Sequence, residues 1–257
     1  MTPSDKRMRV LFYSSRKHEL PVLQRGCPIE IEAIFCEDRL TEATAHLAGG
    51  YDAICLFTSD DASAGVVEKL AAEGVRYIAL RSAGYDHVDL AAAASAGIRV
   101  CRVPAYSPAA VAEHALLLAL ALLRRLPLAH QQVHLQNFSL HHLVGRELGS
   151  LTVGVIGTGA IGGTFARLLT GFGCTVLAFD VAPDRKLEAD TGLQYADLNT
   201  VLRYADLIAL HVPLNRDTQH LVNSASLARM KRGVVLINTA RGGLVDTEAL
   251  LEALSSG

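Results

Sequence analysis

The 257-residue chain has no tryptophan, and tyrosine and phenylalanine bring its aromatic content to only 5%. Its core must therefore come from Val, Leu, Ile and Ala. Half of the residues are hydrophobic, enough for the continuous apolar strands that buried parallel sheets require. Charge of one sign is not in excess either. The formal net charge is -2, and no Lys/Arg-rich run stands beside aromatics, so no nucleic-acid partner is expected. No apolar run reaches membrane-spanning length. The most apolar stretch, residues 115–123, is closed by Arg124 and Arg125 and reads as a buried helix, so no membrane partner is expected. The opening MTPSDKRMRVLFYSS lacks the apolar core and small-residue cleavage site of a signal peptide, which points to a cytoplasmic protein. Cys27, Cys36, Cys55, Cys101 and Cys174 are odd in number, scattered and without a CxxC pair. They read as buried and reduced, holding neither a disulfide framework nor a metal.

What the chain does contain is an alternation of β-branched runs with Ala/Leu-rich segments, the pattern of βαβ units feeding parallel sheets. Its length suits two α/β domains, and the alternation occurs twice. Strands expected at 10–13, 29–35, 53–57, 77–80 and 99–103, with a helix over 64–73, make a flavodoxin-like half. Strands expected at 152–156, 175–179, 193–195, 207–212 and 234–238 make a Rossmann half. Between them VPAYSPAAVAEHALLLALALLRRLP reads as a long helix, with Ser107 as cap, Pro108 in the first turn and Pro127 after the terminal arginines. The boundary is set there, giving domains at 1–104 and 105–257.

The strongest chemical signal is LTVGVIGTGAIGGTFARLLTGFGCTVLAFD, in which an apolar strand runs through Gly157, Gly159 and Gly162 into a helix. Gly157 permits the tight turn, Gly159 admits a pyrophosphate to the backbone, and Gly162 lets helix and strand pack closely. A glycine-rich turn that binds nothing is the bland alternative. Against it, Asp180 ends the next strand at about the twenty-residue spacing expected of the acid that accepts the adenosine ribose hydroxyls and repels a 2′-phosphate. Asp180 could equally make a turn before Pro183, and Arg185 is the residue that could reverse the preference for NAD over NADP. Two further strand ends, LIALHVPLNRDT and VVLINTARGGLVD, point into the same crevice. Arg241 could clamp a carboxylate there bidentately, or instead pair with Asp246 or Glu248 at the surface.

The runs RSAGYDHVDL, RVPAYSPAAVAEHALLLALALLRR, NFSL, VGVIGTGAIG, HVPLNRDTQHLVN and NTARGGLVDTEALLEAL together resemble the D-isomer-specific 2-hydroxyacid dehydrogenases, most of all the members that form D-lactate. The resemblance is densest from Arg81 onward. It implies a flavodoxin-like substrate domain followed by a Rossmann-type NAD-binding domain, NAD as cofactor, a small 2-oxo or 2-hydroxy acid as substrate, and a homodimer. It further implies that Ala83 and Gly84 offer backbone amides to the substrate carboxylate, that Tyr106 lies at the substrate cleft, and that Arg241 is the catalytic arginine. For the cofactor it implies contacts at Ala160, Ile161, Asp180, Val212, Pro213, Thr218, Thr239 and Ala240. His87, His114 and His211 fall in motifs where the family does not place its base. His130, His134, His141 and His142 cluster around an expected loop without HExxH or the Cys/His spacing typical of a zinc site, and read as solvated and helix-flanking.

Residues 246–254 read as a helix whose end Ser255, Ser256 and Gly257 resemble. In the family an acid/base pair, a Glu and a His, follows Arg241 later in the chain. The expectation is a Rossmann domain truncated before that pair, with binding parts but little turnover. A non-catalytic NAD-binding regulatory protein is the alternative. A nucleotide-dependent methyltransferase is a weaker one, discouraged by Arg241 and the two-domain pattern.

Overall fold

Continuous apolar runs become fully buried strands, as at Ala53–Leu56 and Leu207–Leu210, whose residues are all shielded from solvent. Runs of this kind mark strands covered on both faces. The computed structural model describes residues 7–256, and the chain falls into two compact units, Met1–Tyr106 and Ser107–Gly257.

The first unit comprises β1 (Met8–Phe12), α1 (Leu20–Gly26), β2 (Ile31–Phe35), β3 (Ala53–Leu56), α2 (Ala64–Ala72), β4 (Tyr77–Leu80), α3 (Leu90–Ser95) and β5 (Arg99–Arg102). Its sheet is parallel throughout with the order β2-β1-β3-β4-β5, which is the flavodoxin-like order. One face packs Ile54, Leu56, Val67, Leu70 and Ile78 into a core, and the other gathers Val10, Phe12, Ala53 and Cys55.

The second unit comprises α4 (Pro108–Leu123), α5 (Leu126–His134), β6 (Thr152–Ile156), α6 (Ala160–Thr170), β7 (Thr175–Phe179), α7 (Arg185–Thr191), β8 (Gln194–Tyr195), α8 (Leu198–Tyr204), β9 (Leu207–Leu210), α9 (Ser224–Leu227), β10 (Val235–Asn238) and α10 (Thr247–Ser256). Its parallel sheet runs β10-β9-β6-β7-β8. Numbered from β6, that is the Rossmann order 3-2-1-4-5. Val153, Val155, Phe165 and Leu169 pack with α4 on one face, while Ile156, Leu202, Ile208 and Leu210 form the core on the other.

Several details differ from the sequence reading. Helix α4 is not buried all round: Ala112, Ala115, Ala119 and Leu123 face the core, whereas Leu117, Leu118 and Leu122 are exposed. An apolar run cannot reveal which of its faces finds a partner. Ser107 does cap α4, accepting from the Ala110 amide at 3.3 Å, but Pro127 does not simply end the helical segment. Arg125 adopts a left-handed conformation (φ 56°) and the chain re-enters a helix, α5, with Pro127 in its first turn. His130 and His134 thus sit on a helix rather than a loop. Of the five cysteines, all free, only Cys55 is buried. Cys101 is exposed because β5 is an edge strand, and Cys27, Cys36 and Cys174 are half-buried. Helix α10 runs on through Ser255 and Ser256, and Gly257 lies outside the described residues.

Candidate functional site

In the second sheet β10, β9, β6 and β7 are consecutive and parallel, so the segments leaving their carboxyl ends form one row. Residues 239–241 follow β10, residues 211–213 follow β9, the glycine turn follows β6, and Asp180 follows β7. The row spans three strand spacings, about 14 Å. Its middle is the point where the chain reverses its direction of winding, between β6 and β9, where ligands of open parallel sheets bind.

The three glycines have three distinct environments. Gly157 is left-handed (φ +91°), and a Cβ there would lie 2.7 Å from the His211 carbonyl oxygen. A Cβ on Gly162 would collide with the Gly157 carbonyl, so this glycine is what lets α6 start directly beneath the turn. Gly159, by contrast, faces open space: an added Cβ would meet nothing within 4 Å. Gly159 is also the N-cap of α6, and no side chain caps that helix end. An uncapped helix N-terminus beneath an open glycine is a cradle for a phosphate.

Asp180 is fixed to this turn. Its Oδ2 accepts from the Thr158 amide at 2.6 Å and the Thr158 hydroxyl at 3.0 Å, while Oδ1 accepts from the Ala182 amide at 2.9 Å. Burial pushes the carboxyl pKa up, but the hydrogen bonds from Thr158 and Ala182 outweigh it and hold the group below the usual carboxylate range. The turn role weighed from the sequence is thus present. A carboxylate has about four acceptor directions, and three are used, leaving capacity for a ribose hydroxyl.

Residues 116–257 match the family described as the NAD-binding domain of D-isomer-specific 2-hydroxyacid dehydrogenases. The chain belongs to that family. It is 44% identical over 250 residues to the D-lactate dehydrogenase of Escherichia coli, covering 97% of this chain and 76% of that protein. It is 43% identical over 256 residues to an aromatic 2-oxoacid reductase of Clostridium sporogenes, with coverage of 97% and 76%. Among solved structures it resembles the Aquifex aeolicus D-lactate dehydrogenase complexed with NAD and lactic acid (TM-score 0.88, 36% identity, 96% of this chain and 74% of that one). The chain is thus an NAD-dependent oxidoreductase of the CH-OH class by family, and the open cradle at Gly159 fits the dinucleotide.

The other residues expected for a dehydrogenase of this family fall as follows. Arg241 is half-buried just past β10, one guanidinium nitrogen 3.1 Å from the Ala240 carbonyl. Its backbone is held by Asn238, which the sequence did not single out: the Asn238 side-chain amide donates to the Arg241 carbonyl at 2.8 Å, and its oxygen accepts from the Ala240 amide at 3.0 Å. The Thr239 hydroxyl is buried in the same turn without a hydrogen-bond partner. After β9, the Thr218 hydroxyl donates to the Pro213 carbonyl at 2.6 Å and accepts from the Asn215 amide at 2.9 Å, so it shapes the loop carrying Val212 and Pro213. Ala160 and Ile161 open α6 beside Gly159.

Tyr195 was also missed. Its hydroxyl lies 2.9 Å from the Thr158 hydroxyl and accepts from the Asp184 amide at 3.0 Å, bracing the Thr158–Asp180 pair from β8. A tyrosine closing a two-residue strand carries no sequence signal of that role. His211 packs under the glycine turn against Phe165, ring centroids 5.2 Å apart. Burial lowers its pKa to about 4, so the ring is neutral at physiological pH.

In the first unit, Ala83 and Gly84 form the turn after β4. The Ala83 carbonyl accepts from Arg102 at 2.9 Å and the Gly84 carbonyl from the Ser82 hydroxyl at 2.8 Å, so the turn is held by its carbonyls. Tyr106, at the end of this unit, is 71% exposed. A cavity of about 1340 Å³ lies away from the strand-end row, between the end of α4, α9, β10 and α10, lined by Leu122, Met230, Leu236 and Leu250. No helix among the described residues is long and apolar enough to cross a membrane.

Proposed function

We propose that this chain binds NADH and a small 2-oxo acid and belongs to a D-lactate-forming enzyme, pyruvate being its substrate class. The observation that carries this reading is the strand-end row, with Asp180 locked to Thr158 at one end and Arg241 locked by Asn238 at the other. In this reading Asp180 takes the adenosine ribose, the cradle at Gly159, Ala160 and Ile161 takes the pyrophosphate, and residues 212, 213, 239 and 240 flank the nicotinamide end. The bound cofactor supplies the hydride. Arg241 binds the substrate carboxylate through its planar fork and polarises the carbonyl as negative charge develops on its oxygen. Residues 1–104 act as the substrate domain, to which the Ala83 and Gly84 amides belong, and Tyr106 ends the same compact unit. NAD is preferred over NADP because Asp180 remains ionised, and Arg185 is occupied by Glu188 at 2.7 Å.

The proton for the product hydroxyl needs a positioned acid. His211, neutral and packed beneath the turn, is unsuited to that task. The exposed Leu117, Leu118 and Leu122 of α4 support a homodimer, and five free thiols support a reducing, cytoplasmic setting. The test is NADH oxidation with pyruvate. A protein carrying these residues together with a family-like C-terminal segment should bind NADH and oxidise it with pyruvate. A protein of that kind that binds NADH but reduces no 2-oxo acid would refute the enzyme reading.

A further inference from the structure

Helix α5 carries the sequence HQQVH, with His130 and His134 one helical turn apart and exposed. Residues four apart on a helix share a face, so both imidazoles can turn toward one point. The structure brings their Nε2 atoms to 3.1 Å, with the rings edge to face and centroids 4.3 Å apart. We propose that His130 and His134 form a bidentate site for a borderline divalent transition ion such as Zn²⁺, separate from the dinucleotide row.

The distance is the argument. Two Zn–N bonds of 2.0–2.1 Å whose nitrogens are 3.1 Å apart enclose an angle of roughly 100° at the metal, between the tetrahedral and octahedral values. No rearrangement of the helix is needed to accept the ion. Without metal the same separation is a hydrogen bond, one ring N–H donating to the bare nitrogen of the other. On binding, the donor ring changes tautomer, giving up its Nε2 proton to water and taking one from water at Nδ1, so no net proton is released and both Nε2 lone pairs go to the ion. Imidazole nitrogens favour Zn²⁺, Ni²⁺ and Cu²⁺ and are poor ligands for Mg²⁺ or Ca²⁺, which take oxygen.

The i, i+4 separation is the one that zinc hydrolase helices use, but Gln131 stands where they place the glutamate base. The site is therefore one of binding, not hydrolysis. Among the described residues no group of three or more His, Cys, Asp or Glu is arranged for a metal, so the pair acts as a two-ligand chelate. Water or an external donor completes the shell, and the ion exchanges readily.

The experiment is calorimetric titration of Zn²⁺ into the 257-residue chain, with Mg²⁺ as control. We expect one Zn²⁺ site and no Mg²⁺ uptake. His130→Gln and His134→Gln should each weaken Zn²⁺ by about 10-fold or more, since even outer-shell changes at metal sites cost about that much. A His141→Gln/His142→Gln double variant and Cys101→Ser should bind as the parent does. Both histidines are exposed, so circular dichroism should show all variants folded. Retention of the untagged chain on nickel-charged resin should be lost in His134→Gln. Absence of Zn²⁺ uptake, or a smaller fall in affinity in His134→Gln, overturns the proposal.

Discussion

Gly159 and Gly162 lie three residues apart in one motif, yet the structure predicts opposite consequences for the same substitution. In Gly162→Ala the new methyl meets the Gly157 carbonyl oxygen, a backbone atom that is itself held in a left-handed turn against His211 and cannot give way. Overpacking of this kind costs about 1–3 kcal/mol. For a unit of this size that is a fall in Tm of about 2–12 °C. In Gly159→Ala the methyl meets nothing within 4 Å, so the fold should lose at most about 1 kcal/mol through poorer capping. What it should lose is the dinucleotide, because the methyl occupies the space where the pyrophosphate approaches the backbone. Thermal denaturation and quenching or enhancement of NADH fluorescence separate the two effects. Gly162→Ala should melt early, while Gly159→Ala should melt like the parent and bind NADH at least about 10-fold more weakly, a change of 1.4 kcal/mol. Equal Tm losses in the two variants, or undiminished NADH affinity in Gly159→Ala, would refute the reasoning.

Asp180→Ala should erode the preference for NADH over NADPH and lower Tm slightly, because Thr158 and Ala182 lose their acceptor; parallel fluorescence titrations with the two cofactors check it. Arg241→Lys, in the extended protein, should cut pyruvate turnover severely with NADH affinity nearly unchanged, since charge remains but the fork is lost; steady-state kinetics showing normal kcat and KM would contradict this. His211 gives a pH prediction. Its folded pKa, about 4, lies below the ordinary value of 6.5, so the unfolded chain takes up the proton first. The stabilising effect of its neutral form is complete above about pH 6.5 and is lost as pH falls toward 4, costing about 2 kcal/mol between pH 7 and 5. Urea midpoints of the parent should fall across that range more steeply than those of His211→Phe, and parallel loss in the two would sink the idea.

The sequence alone determined the things that depend on local pattern. Continuous β-branched runs specified both sheets to within a residue or two at most strand ends, and the glycine spacing specified the tight turn between β6 and α6, because φ > 0 and close backbone approach leave few residue choices. The motif combination specified the family. Tertiary structure decided what depends on which distant groups meet. Asn238 holding the Arg241 turn, Tyr195 and Thr158 bracing Asp180, and the burial that keeps His211 neutral all join residues whose identities carry no signal until the sheet order makes them neighbours. The exposed face of α4 and the second helix after Arg125 belong to the same class. A run of leucines fixes how much apolar surface exists, and only packing fixes which side of it is covered. The His130 and His134 pair shows the remaining gap: their separation was visible in the chain, but only once Pro127 proved to start a helix rather than end one did that separation become a 3.1 Å distance.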